Sequence, residues 1–141
     1  MDNLIAKADT LLEALPYVQR FRGETFVIKY GGSFMDSTDS AVRGGVARDV
    51  VFIEAVGINP IIVHGGGKAI TRALEQAGVE TRFEQGYRVT TPKSVEVVEQ
   101  VLSREINPDI VGMINKLGGK ARGFSGTEIF RCKPFRPLGQ A

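Results

Sequence analysis

Thr25-Phe26-Val27-Ile28-Lys29-Tyr30 is a short run of β-branched and aromatic residues that stops abruptly on Gly31-Gly32-Ser33. Such a run reads as a β-strand. Ile61-Ile62-Val63-His64 repeats the arrangement and stops on Gly65-Gly66-Gly67. It is almost uninterrupted in apolar character, as expected of a strand covered on both faces. Between the two, a helix is expected from about Ser40 to Val56, with Val42, Val46, Val50 and Ile53 along one side and Gly57 closing it. Another is expected from Lys68 onward, carrying Ile70, Ala73, Leu74 and Ala77 ahead of Gly78. Strand, glycines and helix, twice in succession, is the pattern of parallel strands joined by right-handed crossovers. The expected class is α/β with a mainly parallel sheet.

Upstream, Leu4, Ile5, Ala8, Leu11, Leu12 and Leu15 form one stripe of a 3.6-residue period, an amphipathic helix that Pro16 bends or ends. That stripe packs either on its own domain or on another subunit. Downstream, Gln85-Gly86-Tyr87-Arg88 reads as a polar loop. Thr91 then stands as the N-cap of a helix with Pro92 in its first turn. Val95, Val98 and Leu102 continue that helix until Asn107-Pro108 interrupts it, and a further helix carries Ile110, Val111, Ile114 and Leu117 as far as Gly118-Gly119. Residues Ala121 to Lys133 read as two short strands around a turn at Ser125-Gly126.

The chain has 141 residues, the size of one domain, with 43% hydrophobic and 24% charged residues. That composition excludes intrinsic disorder. No stretch approaches the ~18 uninterrupted apolar residues of a membrane span. A net charge of +2 without a basic stripe argues against nucleic acid as a partner. One cysteine, Cys132, and one histidine, His64, leave no disulfide scaffold and no Cys/His zinc cluster within the chain, and no metal ligands are expected from it. Asp2, Lys7, Asp9 and Glu13 interrupt any secretory-type apolar run, so a reducing, cytoplasmic setting is expected.

Glycine is the one skewed count: 17 of 141, or about 12% against a background of ~7%. Ligands of open α/β sheets bind outside the carboxyl ends of the strands. Glycines there let backbone N–H groups approach an anion, and the following helix adds its positive end. Gly31-Gly32 alone reads more readily as a tight corner than as an anion site. Two glycine turns facing one crevice favour an anion site, since three glycines before a helix exceed the needs of a corner. The common phosphate signatures fail: Ile62 and Ala69 break a Walker A pattern, and Ile70 breaks Gly-x-Gly-x-x-Gly.

Lys29, in an otherwise apolar strand beside a glycine turn, must snorkel, pair with a carboxylate or meet an anion. The adjacent glycines favour the last, and a flexible ammonium suits a phosphoryl group gaining charge during transfer. Arg88 reads either as a solvated loop residue or as a bidentate clamp for a carboxylate. His64 reads as a strand residue with a satisfied ring rather than a base. Lys68 lies where a cation is disfavoured unless an anion offsets it. Cys132 reads as a small apolar residue.

Phe26-Val-Ile-Lys-Tyr-Gly-Gly-Ser33, Ile61-Ile-Val-His-Gly-Gly-Gly67 and Gln85-Gly-Tyr-Arg-Val-Thr90 together resemble the acetylglutamate kinase branch of the amino-acid kinase family. Leu11-Leu-Glu-Ala-Leu-Pro-Tyr17 resembles the N-terminal extension of its arginine-inhibited, hexameric members. The resemblance implies a three-layer αβα sandwich and ATP-dependent phosphorylation of the side-chain carboxylate of N-acetyl-L-glutamate on the route to arginine, with Mg2+ accompanying ATP. Carried onto this chain, it implies that Lys29 stabilises the transferring phosphoryl group and that Gly31, Gly32 and Gly65 approach the phosphates. It further implies that Gly66 and Gly67 bind the acylated amino acid through N–H groups, and that Arg88 holds its α-carboxylate.

On the same resemblance, residues 1–20 form an oligomerisation and regulatory helix with Tyr17 near an arginine-inhibitor site, and residues 21–141 form the acylated-amino-acid-binding half. The nucleotide-binding half of such proteins is expected to be absent, leaving the chain by itself inactive. A homo-oligomer, dimer or hexamer, is implied, and some relatives also bind a regulatory signalling protein. Two other readings stand beside it. One is a related kinase acting on glutamate, aspartate, carbamate or a nucleoside monophosphate. The other is a non-catalytic assembly or arginine-responsive module.

Overall fold

The computed structural model describes residues 2–31, 40–131 and 133. Its elements in order are α1 (Asp2–Phe21), β1 (Thr25–Tyr30), α2 (Ser40–Ala55), β2 (Asn59–His64), α3 (Gly67–Gln76), the two-residue strands β3 (Phe83–Glu84) and β4 (Tyr87–Arg88), α4 (Pro92–Glu99), a π-helical segment (Gln100–Ile106), α5 (Asn107–Lys116) and α6 (Gly126–Ile129). β1 and β2 pair in parallel with Val27 opposite Ile61, Lys29 opposite Val63 and Tyr30 opposite His64. The expected α/β class with a parallel sheet is what the chain adopts.

Alternation along the two strands sends Ile28, Tyr30 and Ile62 to one face. There they pack with Ala47 and Val50 of α2 and with Ile110 and Ile114 of α5. A second cluster joins Ile70 and Leu74 of α3 to Val101 of the π-helical segment, and Ile106 packs against both clusters. The opposite face of β1 and β2 carries Val27, Lys29, Ile61 and Val63, all exposed among the described residues. The near-continuous apolar run of β2 implies a cover on both sides, and the described residues cover one.

The helix boundaries follow local chemistry. Thr91 and Ser94 form a reciprocal capping box at the start of α4, Ser94 N–H donating to Thr91 Oγ1 at 3.2 Å and Thr91 N–H to Ser94 Oγ at 2.7 Å. α2 and α3 end on Gly57 and Gly78 with φ of 87° and 62°. The N–H groups of Ile58 and Val79 reach back to the carbonyls of Ile53 and Leu74, the paired bonds of a left-handed glycine stop.

Four local expectations are corrected. Pro16 does not end α1, which runs on to Phe21, because the turns beyond it keep their own bonds, Arg22 N–H to Val18 O among them. Asn107-Pro108 does not interrupt the chain of helices between Pro92 and Lys116. Ahead of it the backbone widens to π-helical pairing, Asn107 N–H donating to Leu102 O five residues back, and Pro108 then opens α5 where a missing N–H is harmless. Gln85-Gly86 is the turn of a tight hairpin between β3 and β4, with φ of 51° and 82°, the positive pair of a type I′ turn. Finally, Ala121 to Arg131 holds no strand. Ser125 caps α6, its Oγ accepting from Thr127 N–H while Glu128 accepts from Ser125 N–H, a capping box that outcompetes a hairpin turn. No helix among the described residues is long and apolar enough to cross a membrane.

Candidate functional site

Parallel pairing puts both glycine turns at one edge. Tyr30 and His64 are register partners, so Gly31 and Gly65 leave the sheet side by side. Gly32 and Cys132 lie outside the described residues. Lys29, one residue before the edge, stands exposed opposite Val63, and no ion pair among the described residues engages it. Of the three roles open to a strand-end lysine, pairing with a carboxylate is therefore not the one these residues supply.

The glycines differ in what demands them. Gly31, Gly65 and Gly67 have no positive φ, and a Cβ built on any of them meets nothing within 4 Å. Neither conformation nor packing among the described residues calls for glycine at these three positions. Gly66 is different. It is extended at φ −174°, and a Cβ there would lie 2.6 Å from Ile106 Cδ1 and 2.9 Å from Leu102 Cδ2. Gly66 caps α3, its carbonyl accepting from Ile70 N–H at 2.8 Å. The N–H groups of Gly66 and Gly67 enter no hydrogen bond among the described residues, as expected for the first donors of a helix without a side-chain cap. The first turn of α3 holds Lys68 and no acidic residue.

Arg88 reaches this turn through a relay. Its Nη2 donates to Thr71 Oγ1 at 2.9 Å, and Thr71 Oγ1 donates to Gly67 O at 2.9 Å. Nη1 donates to Thr81 Oγ1 at 3.3 Å, and the guanidinium lies 4.8 Å from the Phe83 ring centroid, a cation–π contact. The type I′ hairpin thus brings a half-buried, oriented arginine to the first turn of α3. Tyr17 stands exposed on α1, which enters β1 at the end opposite Gly31. Two features escaped sequence reasoning, the Thr71 link and the π-helical packing on Gly66, whereas His64 is the strand residue with a satisfied ring that the sequence implied. That ring is half-buried and bonded at both nitrogens, to Gly65 O and to Asn107 Nδ2. A Thr one turn into a glycine-capped helix was the available signal for the first.

Below β1, Tyr30 is buried near Arg43 of α2 and Asp109 of α5, which pair with each other. Burial raises the Tyr30 phenol above its ordinary range, Arg43 opposing that shift and Asp109 adding to it. The edge itself offers peptide N–H groups and cations, partners for anionic oxygens. No three His, Cys, Asp or Glu side chains gather to hold a metal among the described residues.

The sequence matches the model of the amino acid kinase family over residues 24–133. It is similar to an acetylglutamate kinase of Akkermansia muciniphila, 51% identical over 127 residues, which cover 90% of this chain and 42% of that protein. An acetylglutamate kinase of Sphingopyxis alaskensis is 53% identical over 128 residues, 91% of this chain and 42% of the relative. The chain thus spans about two fifths of the length of these relatives. Among solved structures, an N-acetylglutamate synthase from Neisseria gonorrhoeae complexed with coenzyme A and N-acetyl-glutamate matches with a TM-score of 0.59. That match is 20% identical and covers 78% of this chain and 24% of the other, a likeness of fold.

Proposed function

This chain belongs to the amino acid kinase family, and we propose that it supplies the acyl-amino-acid-binding part of an acetylglutamate kinase, which transfers a phosphoryl group from ATP to the side-chain carboxylate of N-acetyl-L-glutamate. The observation that carries the reading is the shared edge: two glycine turns side by side, Lys29 one residue back, and Arg88 tied to the second turn through Thr71.

In this reading the Gly66 and Gly67 N–H groups hold the acylated amino acid, and Arg88 clamps its α-carboxylate with its planar fork. Gly31 and Gly65 leave room for phosphate oxygens to approach the backbone, a role that the resemblance extends to Gly32. The Lys29 ammonium offsets charge on the phosphoryl group in flight, which lowers the barrier only insofar as that charge grows in the transition state. ATP is the donor. Magnesium, when present, would accompany the phosphates of ATP.

A titration of the chain with N-acetyl-L-glutamate tests the reading. Charge-assisted hydrogen bonds contribute about 1.5–3 kcal/mol each, so Arg88→Ala is expected to weaken binding about 10- to 150-fold for each bond lost. An unchanged affinity removes Arg88 from the site. Binding of aspartate, carbamate or a nucleoside monophosphate in place of N-acetyl-L-glutamate points to a different acceptor.

A second reading concerns α1. Leu4, Ile5, Leu11, Leu12 and Leu15 are exposed along it, with Tyr17 beyond them. An apolar stripe of that length on a 20-residue helix fits packing against another subunit. Residues 1–20 then serve assembly into a dimer or hexamer and an arginine-responsive site, and residues 21–141 serve substrate binding.

A further inference from the structure

His64 ends β2, and both nitrogens of its ring are engaged. Nδ1 lies 3.1 Å from Gly65 O, and Nε2 lies 3.3 Å from Asn107 Nδ2. An amide nitrogen only donates, so Nε2 accepts and the proton of the neutral ring sits on Nδ1, directed at the Gly65 carbonyl. Asn107 is fixed in turn. Its Nδ2 also donates to Phe124 O at 3.2 Å, and a Cβ on Gly123 would come within 1.9 Å of Asn107 Oδ1. The first residue of α5 therefore selects the tautomer of a histidine 43 positions earlier.

A trans peptide carries its C=O and N–H on opposite sides, and the described backbone has no cis bond. Holding Gly65 O toward the His64 ring turns the Gly66 N–H the other way. His64 shares its face with Tyr30, over α2 and α5, whereas Lys29 and Val63 share the open face. The Gly66 N–H is thereby turned toward the side that carries Lys29.

We propose that His64, set in one tautomer by Asn107, is a positioning residue that locks the Gly65–Gly66 peptide so that its N–H faces an anionic ligand. Leu102 and Ile106 crowd the same turn, their methyl ends standing 2.9 Å and 2.6 Å from where a Gly66 Cβ would lie. The proposal rests on the reading that the Gly66 amide binds the acylated amino acid, but the bonds it invokes exist without ligand. Their test does not depend on that reading.

The experiment is heteronuclear NMR on the 15N-labelled 141-residue chain, with N-acetyl-L-glutamate as the probe. The free wild type is expected to show His64 as the Nδ1–H tautomer. Asn107→Ala is expected to mix the tautomers, to move the Gly66 amide resonance, and to weaken probe binding about tenfold, the worth of one hydrogen bond. Gly123→Ala, which displaces the Asn107 side chain without altering it or His64, is expected to give the same signature should Asn107→Ala fold poorly. An Nε2–H tautomer in the wild type overturns the proposal, as does a Gly66 amide unmoved by both variants. If the tautomer and the Gly66 amide respond as stated while the wild type leaves the probe unbound, the lock stands and the substrate reading falls.

Discussion

Alanine at Gly66 and alanine at Gly67 are expected to act oppositely on the fold. A Cβ on Gly66 would sit 2.6 Å from Ile106 Cδ1 and 2.9 Å from Leu102 Cδ2. Apolar carbons rest about 3.5–4.0 Å apart, so both side chains must retreat by about 1 Å. Both are partly buried side chains already packed on the core, Ile106 against both clusters and Leu102 against the one built on Val101, which is 2% exposed, so their retreat disturbs that packing. Overpacking of this kind costs about 1–3 kcal/mol. A Cβ on Gly67 meets nothing within 4 Å and lies in the first turn of α3. There alanine gains up to about 1 kcal/mol of helix propensity.

Urea unfolding reads both variants as shifts of the midpoint at constant slope. Gly66→Ala should move it down, and Gly67→Ala should leave it unchanged or move it up. A Gly66→Ala midpoint at or above wild type refutes the packing argument. The same two proteins titrated with N-acetyl-L-glutamate should both bind more weakly, because the Gly67 methyl stands where a ligand must come close to the amide. Wild-type affinity in Gly67→Ala would remove that amide from the site.

Tyr30→Phe should flatten the alkaline loss of stability. Burial raises the folded-state phenol pKa, so the wild type keeps this contribution below the unfolded value of ~10 and loses it as pH climbs through the folded value. Equal losses in both proteins, followed by urea midpoints across that range, would contradict the shift. In a polypeptide of the relatives' full length carrying these residues, Lys29→Ala should lower kcat about 10²–10³-fold with a smaller change in KM, by analogy with loss of one transition-state donor. Wild-type turnover would end the phosphoryl-stabilising role. Deleting residues 1–16 removes most of the exposed apolar stripe of α1, and light scattering should then report a lower mass. An unchanged mass refutes an intersubunit helix.

What could be read from the sequence was local and abrupt. The two strands end on glycines without transition, Thr91 and Pro92 announce α4, and Gly57 and Gly78 stop helices whose apolar faces are already periodic. What escaped depends on partners far apart in the chain. The π-helical segment has no compositional mark, because widening from four-residue to five-residue pairing changes no residue type. Pro108 therefore read as a break when it opens the next helix. Arg88 sits in a polar stretch whose spacing cannot distinguish a solvated arginine from one held by Thr71, 17 residues away. The misread turn at Ser125 is a different case. Ser125 and Glu128 stood in capping-box spacing, and that local signal was present but outweighed by the adjacent glycine.

Glycines that the fold does not need are the more informative ones. Gly31, Gly65 and Gly67 each forgo the stability that a side chain would bring, about 0.5–1 kcal/mol relative to alanine where the backbone is regular. A demand for that room would come from outside the described contacts. A ligand drawn close to the peptide is one such requirement, and further chain packed against the same edge is another, the curated relatives being more than twice as long as the stretch they share with this chain. The two make different demands on the 141-residue chain studied alone. If a ligand is the reason, Gly67→Ala weakens N-acetyl-L-glutamate binding in the short chain. If packing is the reason, the substitution is silent there and destabilises only the full-length protein. Lys29 favours the ligand, since an exposed cation beside an edge of unpaired amides is poorly suited to burial under more chain and well suited to an anion.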